Sequence, residues 1–427
     1  MINVRDIGAI GNGKADDTTA FQTAIDNAVN ANDTVFIPKG RYRITQSLNA
    51  FRDFKNFSIR IVGEGNFWDV ELSHIIYDSK QGHCLNIQNG KGCVIEGISF
   101  EGKYTSPKAD IYRTEFKDWN DPTITEDRYN PHCAIAVDAI KGPTRSGSTG
   151  TVIRNCSFRN FTGAINYSPN GFTLNNELNT VENCRGRNLK YFLSGNQAQE
   201  KLNRIINIGL WDNIHTCFIW GLYGGGQPGH YVIDGLNTAG KIGNLFFRPS
   251  QSFFPLHVTN VFSEMLGSIG FWNTTMSDTL SNSIINLVYP QTGAYNIVLS
   301  GNGLKIKDST IRYYGMNIPV LFKGNIELDR VMSGTNPIIG HRYAPTDPHY
   351  MNGFELIGNN KWQDYTIENN TTNIEGEYQI GDVIVFYAGN YDYMALGQVT
   401  NVTKGIATVS YLNAKSGKYR IGKYKSK

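Results

Sequence analysis

Charge is scarce in this sequence. Only 18% of its 427 residues are Asp, Glu, Lys or Arg, against roughly 25% in an average globular protein. The formal net charge is +3, and Lys and Arg are scattered except in the final stretch, KSGKYRIGKYKSK. Because no concentrated basic surface is encoded, a nucleic-acid partner is disfavoured.

Long apolar runs and paired cysteines are also missing. No run approaches the roughly eighteen apolar residues of a membrane span, and Asp6 stands where a signal peptide has its apolar core. We therefore expect neither membrane insertion nor secretion by a standard signal. The six cysteines include no C-x-x-C pair, so we expect buried free thiols and no metal site. No cofactor is predicted.

The first fifty residues predict a cap for a larger structure. Apolar residues from Ala20 to Val29 follow helical spacing, and Asp17 stands where a residue that caps the first turn would be. The next segment, TVFIPKGRYRI, alternates in the manner of two short strands. Asp16 and Asp17 precede the helix, which favours a structural role for this pair over a catalytic one.

A short apolar pattern beside Asn or Gly returns through most of the remaining chain. The markers of this repeat are separated by 20 to 28 residues: Ile153, Val181, Ile205, Val232, Val258, Ile284, Leu304 and Ile326. A period in the twenties predicts a coiled β repeat; the strands of a sandwich return about every 8 to 12 residues. Cys156 and Cys184 each follow an Asn, so we expect one inward column of side chains with Asn at the bends.

Two segments interrupt the repeat. Residues 102–132 form a long charged and aromatic excursion, which we interpret as a wall of a binding groove or, alternatively, as packing between subunits. From about Trp362 the pattern becomes hairpin-like, which predicts a small antiparallel β module. The predicted organisation is a cap over residues 1–50, a parallel coil over 51–361 and a C-terminal module over 362–427.

The stretch INVRDIGAIGNGKADDTTAFQTAIDNAV, with DTVFIPKGRYRI after it, resembles the N-terminal signature of the pectate-lyase-like, right-handed parallel β-helix superfamily. Within it, the chain is most similar to the bacteriophage tailspike polysaccharide depolymerases. The likeness is close over about the first 45 residues, and the irregular repeats extend it to about residue 340. It implies an all-β, right-handed parallel β-helix (solenoid) with an N-terminal capping helix. It also implies a homotrimer on a virion tail that binds and cleaves a capsular or exopolysaccharide at the bacterial surface.

Two departures from the superfamily narrow the chemistry. Polygalacturonase relatives carry an Asp-Asp pair on a middle turn of the coil, whereas Asp16 and Asp17 lie in the cap. Calcium-dependent pectate lyases carry an Arg-Pro-x-x-Arg element, and FRPSQS supplies only Arg248 and Pro249. Both chemistries are disfavoured. Endo-glycosidic hydrolysis is therefore the leading hypothesis, and the alternatives are a different lyase, a non-catalytic glycan-binding spike and an epimerase.

Glycoside hydrolysis generally needs two carboxylates, one that protonates the leaving oxygen and one that activates water or attacks carbon. The segment LWDNIHTCFIWGLYGGG places Asp212 among aromatic residues, and NVFSEMLGSIGFWN, two repeats on, places Glu264 near Trp272. Two turns of a coil would separate their backbones by about 9.6 Å, which suits an inverting pair. A one-residue offset between their registers opposes this pairing. Asp138 is the third candidate.

Aromatic and basic neighbours of these carboxylates are the predicted substrate-binding residues. They are Trp211, His215, Trp220, Tyr223, Arg248 and Trp272. Tryptophan faces are common platforms for sugar rings, and Arg248 and His215 suit an acidic sugar or the base of an elimination. Competing interpretations are a solvated turn or the end of a ladder for each carboxylate, and a structural hydrogen bond for His215.

Overall fold

The computed structural model describes the chain in segments. These cover residues 1–52, 55–67, 70–103, 132–138, 147–168, 176–195, 200–220, 230–248, 255–287, 299–313, 322–333, 336–338, 354–355, 363–380, 382–388, 393–410 and 416–424. One helix and 32 strands lie in them. Within this part of the chain no helix is long and apolar enough to cross a membrane. Most of the predicted excursion at 102–132 lies outside the described residues.

The elements of the cap and the first turns of the coil are β1 (Ile2–Asn3), β2 (Asn12–Asp16), α1 (Thr18–Ala31), β3 (Thr34–Ile37), β4 (Gly40–Ile44), β5 (Leu48–Ala50), β6 (Arg60–Gly63), β7 (Asn66–Phe67), β8 (Val70–Glu71), β9 (Ser73–Tyr77), β10 (His83–Gln88), β11 (Val94–Glu96) and β12 (Ser99–Glu101). The middle and last turns contain β13 (Cys133–Asp138), β14 (Val152–Arg154), β15 (Ser157–Tyr167), β16 (Thr180–Glu182), β17 (Arg185–Gly195), β18 (Asn203–Trp220), β19 (Tyr231–Ala239), β20 (Ile242–Arg248), β21 (Leu256–Ser281), β22 (Ile284–Leu287), β23 (Leu299–Tyr313), β24 (Phe322–Ser333) and β25 (Asn336–Ile338). The C-terminal strands are β26 (Phe354–Glu355), β27 (Gln363–Tyr365), β28 (Thr372–Glu375), β29 (Val383–Ala388), β30 (Tyr393–Thr403), β31 (Ile406–Ser410) and β32 (Gly417–Tyr424).

The helix α1 packs against β1, β3 and β5 at the start of the coil. Its buried side chains follow the helical spacing seen in the sequence: Phe21, Ala24, Ile25, Ala28 and Val29. The chain leaves the helix at Asn32, which adopts a left-handed conformation with φ of 51°. Short polar Asn tolerates this conformation better than most residues. The predicted capping helix is confirmed.

The two aspartates before the helix have roles that differ from the predicted N-cap. The buried carboxylate of Asp17 makes no capping hydrogen bond to the helix. It accepts hydrogen bonds from the backbone amides of Ile10, at 2.6 Å, and Gly11, at 3.2 Å. Asp16 instead accepts one from the backbone amide of Thr18 at 3.1 Å. Asp17 therefore holds the glycine-rich loop against the cap, which makes this pair structural.

Strands β1 to β25, apart from the separate pair β7 and β8, form one sheet of 23 strands. Each turn of the coil, called a rung below, adds strands to three faces. In the rung made by β14 and β15, residues 152–154 lie on the first face, 157–159 on the second and 161–167 on the third. Each face pairs in parallel with the same face of the next rung. This is the predicted parallel β-helix.

The corner between the first and second faces is a column of residues with positive φ. Its members are Gly97, Asn155, Asn183, Asn207, Gly235, Asn260, Asn282, Asp308 and Arg330. Glycine pays no Cβ penalty in this conformation, and Asn and Asp are the side chains that tolerate it best. Asn207 donates to the side-chain oxygen of Asn183 at 3.4 Å. The prediction of Asn at the bends is confirmed.

Cys156 and Cys184 lie directly after this corner and point inward. Both are buried, and each thiol contacts a backbone carbonyl of the rung before it, Ile95 at 3.8 Å and Ile153 at 3.7 Å. All six cysteines are buried thiols and none forms a disulfide bond, as predicted. Burial raises the pKa of the Cys93 thiol to about 11, because desolvation penalises the thiolate.

The repeat markers are correct only in part. Ile153, Val181 and Ile205 pair in register, but the next residue of this column is Ile233, not Val232. Ile284 lies on the second face, opposite Phe262. The apolar residues of adjacent faces look alike in sequence. Where a loop changes the length of a rung, the marker chosen from the sequence can therefore belong to a neighbouring position or face.

Strands β26 to β32 form a separate antiparallel sheet. β29 pairs with β30 and with β32, and β30 pairs with β31. The alternation that predicted hairpins after Trp362 therefore identified an antiparallel module. The all-β fold class, with its parallel coil and small antiparallel sheet, is confirmed.

Candidate functional site

The outer surface of the second face carries the candidate site. Along this face Phe158, Leu210 and Ser263 are buried, so the residues on either side of them point outward, as strand alternation requires. One outward column is in register over seven rungs and consists of Arg43, Ile76, Glu101, Arg159, Arg187, Trp211 and Ala239. A second outward column, two residues earlier in each strand, contains Arg185 and Gly209. These columns bring together residues that lie far apart in sequence.

Trp211 lies flat on this surface because Gly209 leaves space for its ring. A Cβ atom at Gly209 would lie 1.9 Å from Trp211 Cη2 and 2.6 Å from its Cζ2 and Cζ3. The six-membered ring of the indole therefore covers the Gly209 backbone. The side chain is half-buried, so part of the indole is accessible to solvent. An aromatic ring held flat on a sheet is the arrangement that stacks on the apolar face of a sugar.

Asp212 lies at the corner where the second face turns into the third. Its φ is 65°, and the register shifts here, since Arg187 pairs with Trp211 but Leu189 pairs with Ile214. Because Asp212 is in the left-handed region, strand alternation does not fix the direction of its side chain. Asp212 is exposed. The candidate carboxylate is thus adjacent to the flat indole in sequence and at the rim of the same surface.

Glu264 lies on the second face two rungs beyond Trp211. Leu210, Thr238 and Ser263 are in register, so Glu264 extends the column of Trp211, while Asp212 lies one position further on. Glu264 is exposed. At about 4.8 Å per rung, the backbones of Trp211 and Glu264 are about 9.6 Å apart. Asp212 and Glu264 are therefore offset by one residue, as noted in the sequence. Because Asp212 lies at a corner, this offset does not by itself place the two side chains on opposite surfaces.

The same face carries a different arrangement in the earlier rungs, which we call the Glu101 cluster: His74, Glu101 and Arg159. Glu101 Oε2 lies 3.1 Å from His74 Nε2 and 2.8 Å from an Arg159 guanidinium nitrogen. The His74 side chain is only 1% exposed, and those of Arg159 and Glu101 are 17% and 24% exposed. The hydrogen bond from His74, aided by that from Arg159, lowers the pKa of Glu101 to about 2. The Glu101 carboxylate is therefore ionised, and it is bound by both His74 and Arg159.

Two predicted site residues are buried. Trp220 has no exposed surface, and its ring packs against those of Phe218, at 5.9 Å, and Phe246, at 6.1 Å. Asp138 is 1% exposed, and its backbone carbonyl accepts a hydrogen bond from Ser148 Oγ at 2.6 Å. Neither side chain offers surface to a polysaccharide. Their burial does not support the predicted roles of Trp220 in sugar binding and of Asp138 in catalysis, which stay predictions.

The other predicted binding residues lie on the third face or outside the described chain. His215 is half-buried, and its Nδ1 lies 2.9 Å from Thr216 Oγ1, which fits the structural hydrogen bond weighed against a binding role. The backbones of Arg248 and Trp272 pair in register on adjacent rungs. Tyr223 lies outside the described residues. The structure thus groups Trp211 with Asp212 and Glu264, and places His215, Arg248 and Trp272 on a neighbouring face.

Arg187 and Gly209 are site residues that the sequence analysis did not identify. The signal was present: NCRGRNL and the following IGLWDN align once Cys184 is matched to Ile208, which puts Arg187 beside Trp211. Arg187 is exposed. No group of three or more His, Cys, Asp or Glu side chains with metal-binding geometry occurs among the described residues.

Comparison with known families agrees with the fold. The family described as "Rhamnogalacturonase A/epimerase, pectate lyase-like" matches residues 1–189. This match covers the cap and the first rungs, where the signature lies. Together with the parallel coil, it supports the resemblance to the pectate-lyase-like parallel β-helix proteins.

Individual proteins are similar over shorter stretches or at lower identity. Alginate lyase 7 of Azotobacter vinelandii is 39% identical over 87 residues, and the mannuronan C5-epimerase AlgE2 of the same organism is 52% identical over 87 residues. Each alignment covers 17% of this chain, and the chain spans about a tenth of the length of these relatives. The solved structure of ORF18 from Geobacillus virus E2 has a TM-score of 0.52 at 10% identity, covering 99% of this chain and 76% of that one. That likeness shows the fold alone.

Proposed function

We propose that this chain is a tailspike-like depolymerase that binds and cleaves a bacterial surface polysaccharide on the second face of its coil. The observation that carries the proposal is the indole of Trp211 held flat over Gly209, with exposed Asp212 beside it and exposed Glu264 two rungs on. Glycoside hydrolysis generally uses two carboxylates, and an aromatic ring beside them offers an apolar surface on which a sugar can lie. The family match and the names of the two Azotobacter relatives support a polysaccharide as the substrate.

The proposed reaction is endo-glycosidic hydrolysis by Asp212 and Glu264. One carboxyl group protonates the oxygen of the leaving sugar, and the other, ionised, activates water on the opposite side of the ring. Inverting hydrolases hold the two groups about 6.5 to 9.5 Å apart to leave room for that water. Two rung steps separate the backbones of Trp211 and Glu264 by about 9.6 Å, and Asp212 is the residue after Trp211. Retention of the sugar configuration would require a closer pair.

We further propose that the protein acts as a homotrimer at the tip of a viral tail. The support is the tailspike-like sequence signature and the fold shared with a viral protein over 99% of this chain. The segment at 102–132 is a candidate groove wall or subunit contact. Sedimentation equilibrium of the purified chain distinguishes a trimer from a monomer.

The activity is tested by incubating the protein with a panel of purified bacterial capsular polysaccharides. Hydrolysis releases reducing ends without the ultraviolet absorbance of an unsaturated uronic product. The appearance of that absorbance would replace hydrolysis with elimination, the chemistry in the name of one relative. Binding of a capsule without cleavage of any would replace the enzyme with a non-catalytic spike.

A further inference from the structure

Two histidines meet on the first face of the coil, and we call them the histidine pair: His230 and His257. His257 lies in β21, in register with Val232 of the rung before, and both of its strand neighbours are buried, so its side chain points outward. His230 directly precedes β19, and its backbone carbonyl accepts a hydrogen bond from the amide of Asn203 at 3.1 Å. The two imidazole rings are in contact, with their centres 5.7 Å apart and their planes 83° apart.

The hydrogen bonding of the histidine pair leaves ring nitrogens available. His257 Nδ1 lies 3.0 Å from Thr279 Oγ1. The tautomer in which Nδ1–H donates to that hydroxyl has its lone pair on Nε2. Metal-binding histidines are oriented by a hydrogen bond of this kind from the ring nitrogen that does not bind the metal. Among the described residues, no hydrogen bond reaches His257 Nε2 or either ring nitrogen of His230.

The charges around the pair favour neutral imidazoles. Both residues are half-buried, and desolvation, with a smaller contribution from His257, lowers the pKa of His230. Neutral imidazole is the form that binds metals. In the column of His257, Arg204 lies two rungs earlier, about 9.6 Å along the coil. Lys305, on the other side, is paired with Glu327 at 2.8 Å.

The distance between the rings suits a shared ion. Zinc binds a histidine nitrogen at about 2.0 to 2.1 Å, which places the ion about 3 Å from the centre of the ring. Two rings with centres 5.7 Å apart can therefore each direct one nitrogen at the same ion. Because the two histidines belong to successive rungs, such an ion would connect one rung to the next.

We propose that His230 and His257 bind one divalent transition-metal ion, such as Zn²⁺, Ni²⁺ or Cu²⁺, on the outer surface of the first face. Imidazole suits these ions, whereas Ca²⁺ and Mg²⁺ prefer oxygen ligands. No group of three His, Cys, Asp or Glu side chains with metal-binding geometry occurs in the described part of the chain, so water completes the coordination. The fold assembles the pair, and an ion that binds the folded chain stabilises it. This proposal does not rest on the proposed function.

The test titrates the full-length chain, without a polyhistidine tag, with Ni²⁺ and with Zn²⁺ by isothermal titration calorimetry. We expect one ion per chain. His230→Gln and His257→Gln should each weaken binding by at least about tenfold, because one of the two protein ligands is lost. Thr279→Val should weaken it less, and Thr279→Ser should retain the wild-type affinity. Neither Ca²⁺ nor Mg²⁺ should compete.

His215→Gln is the matched control. His215 is a half-buried histidine on the third face whose Nδ1 lies 2.9 Å from Thr216 Oγ1, so its loss removes an imidazole away from the pair. We expect wild-type affinity for both ions. Zn²⁺ should raise the urea unfolding midpoint of the wild-type chain and of this control. It should not raise the midpoint of either pair variant.

Electron paramagnetic resonance of the Cu²⁺ complex counts the bound nitrogens. We expect two imidazole nitrogens in the wild-type chain and one in each pair variant. If a pair variant has a lower urea midpoint without metal, the nitrogen count of the wild-type chain and the Thr279 variants decide the question. The proposal would be overturned by the absence of Ni²⁺ and Zn²⁺ binding, by affinity that survives the loss of either histidine, by an equal loss in the His215 variant, or by competition from Ca²⁺.

Discussion

The Glu101 cluster lies on the same face of the coil as a column of outward residues that we call the Trp211 surface: Arg187, Trp211, Ala239 and Glu264, with Asp212 at its rim. The charged side chains of the two sets differ in burial and in their partners. In the cluster, Arg159 and His74 bind Glu101 and are largely buried. On the Trp211 surface, Arg187 is exposed one rung beyond Arg159, and Asp212 and Glu264 are exposed two and four rungs beyond it. In a parallel coil, equivalent backbone positions recur on every rung, but the side chains around each position can differ. The comparison separates charges that are paired within the fold from exposed charges, for which we propose a role in glycan binding and cleavage.

The largest expected effect is on catalysis and comes from the exposed carboxylates of the Trp211 surface. Asp212→Asn and Glu264→Gln should each lower the rate of polysaccharide cleavage by about a hundredfold to ten-thousandfold, because each removes one proton-transfer group. Release of reducing ends measures the rate. Asp234→Asn, on the first face where Asp234 accepts a hydrogen bond from Asn260 at 2.7 Å, is the control and should cut at the wild-type rate. Full activity in both site variants would contradict the proposed pair.

The next effect tests the cluster. Glu101→Gln leaves His74 and Arg159 without their carboxylate, so the free energy of unfolding should fall by about 2 kcal/mol. Because the folded-state pKa of Glu101 is about 2, below its ordinary value, its contribution is present above about pH 4.5 and is lost as the pH falls towards 2. Urea unfolding midpoints from pH 7 to pH 2 measure this. The difference between wild type and variant should shrink with acid.

Glu327→Gln is the control for that measurement. Glu327 lies 2.8 Å from Lys305, but its side chain is 45% exposed, so its loss should cost less than about 1 kcal/mol. An equal loss in both variants would show that the Glu101 cluster is no more stabilising than a surface ion pair. A Glu101→Gln variant that loses cleavage but no stability would move the cluster into the functional site.

The smallest expected effect tests whether the flat orientation of the Trp211 ring contributes to glycan binding. Gly209→Ala places a methyl group where the indole lies, so the ring must lift from the sheet. Glycan binding should weaken by about threefold to tenfold. The three atoms nearest to the new Cβ all belong to the Trp211 ring, so the unfolding midpoint should stay near that of the wild type. An unchanged dissociation constant would show that the flat ring is not the contact.

The features of this protein that repeat along the chain were predictable from the sequence. Asn155 and Asn183 at the corner and Cys156 and Cys184 inside it repeat at the rung period, and the corner sterics select Asn and Gly at φ near 50° to 80°. The capping helix and the C-terminal hairpins follow from local periodicity in the same way. Local patterns suffice where each rung makes the same demand on the chain.

The site was less predictable because a rung has corners. Trp211 and Trp220 belong to one strand, β18, but the corner at Asp212 turns the chain between them. Trp211 therefore lies on the outer surface, whereas Trp220 points into the core against Phe218 and Phe246. Proximity in sequence predicted one aromatic cluster for both. The pairing of Arg187 with Trp211 depends on the register between adjacent rungs. The short apolar markers in the sequence define that register only to within about one residue.

A binding measurement distinguishes a glycan site at the Trp211 surface from a site at the Glu101 cluster, which we expect to be structural. Trp211→Ala is compared with wild type for the dissociation constant of the capsular polysaccharide that the wild-type chain cuts. We expect the affinity of the variant to be about tenfold to a hundredfold weaker and its urea midpoint to be unchanged, because the ring lies outside the core. Wild-type affinity in the Trp211→Ala variant would contradict it.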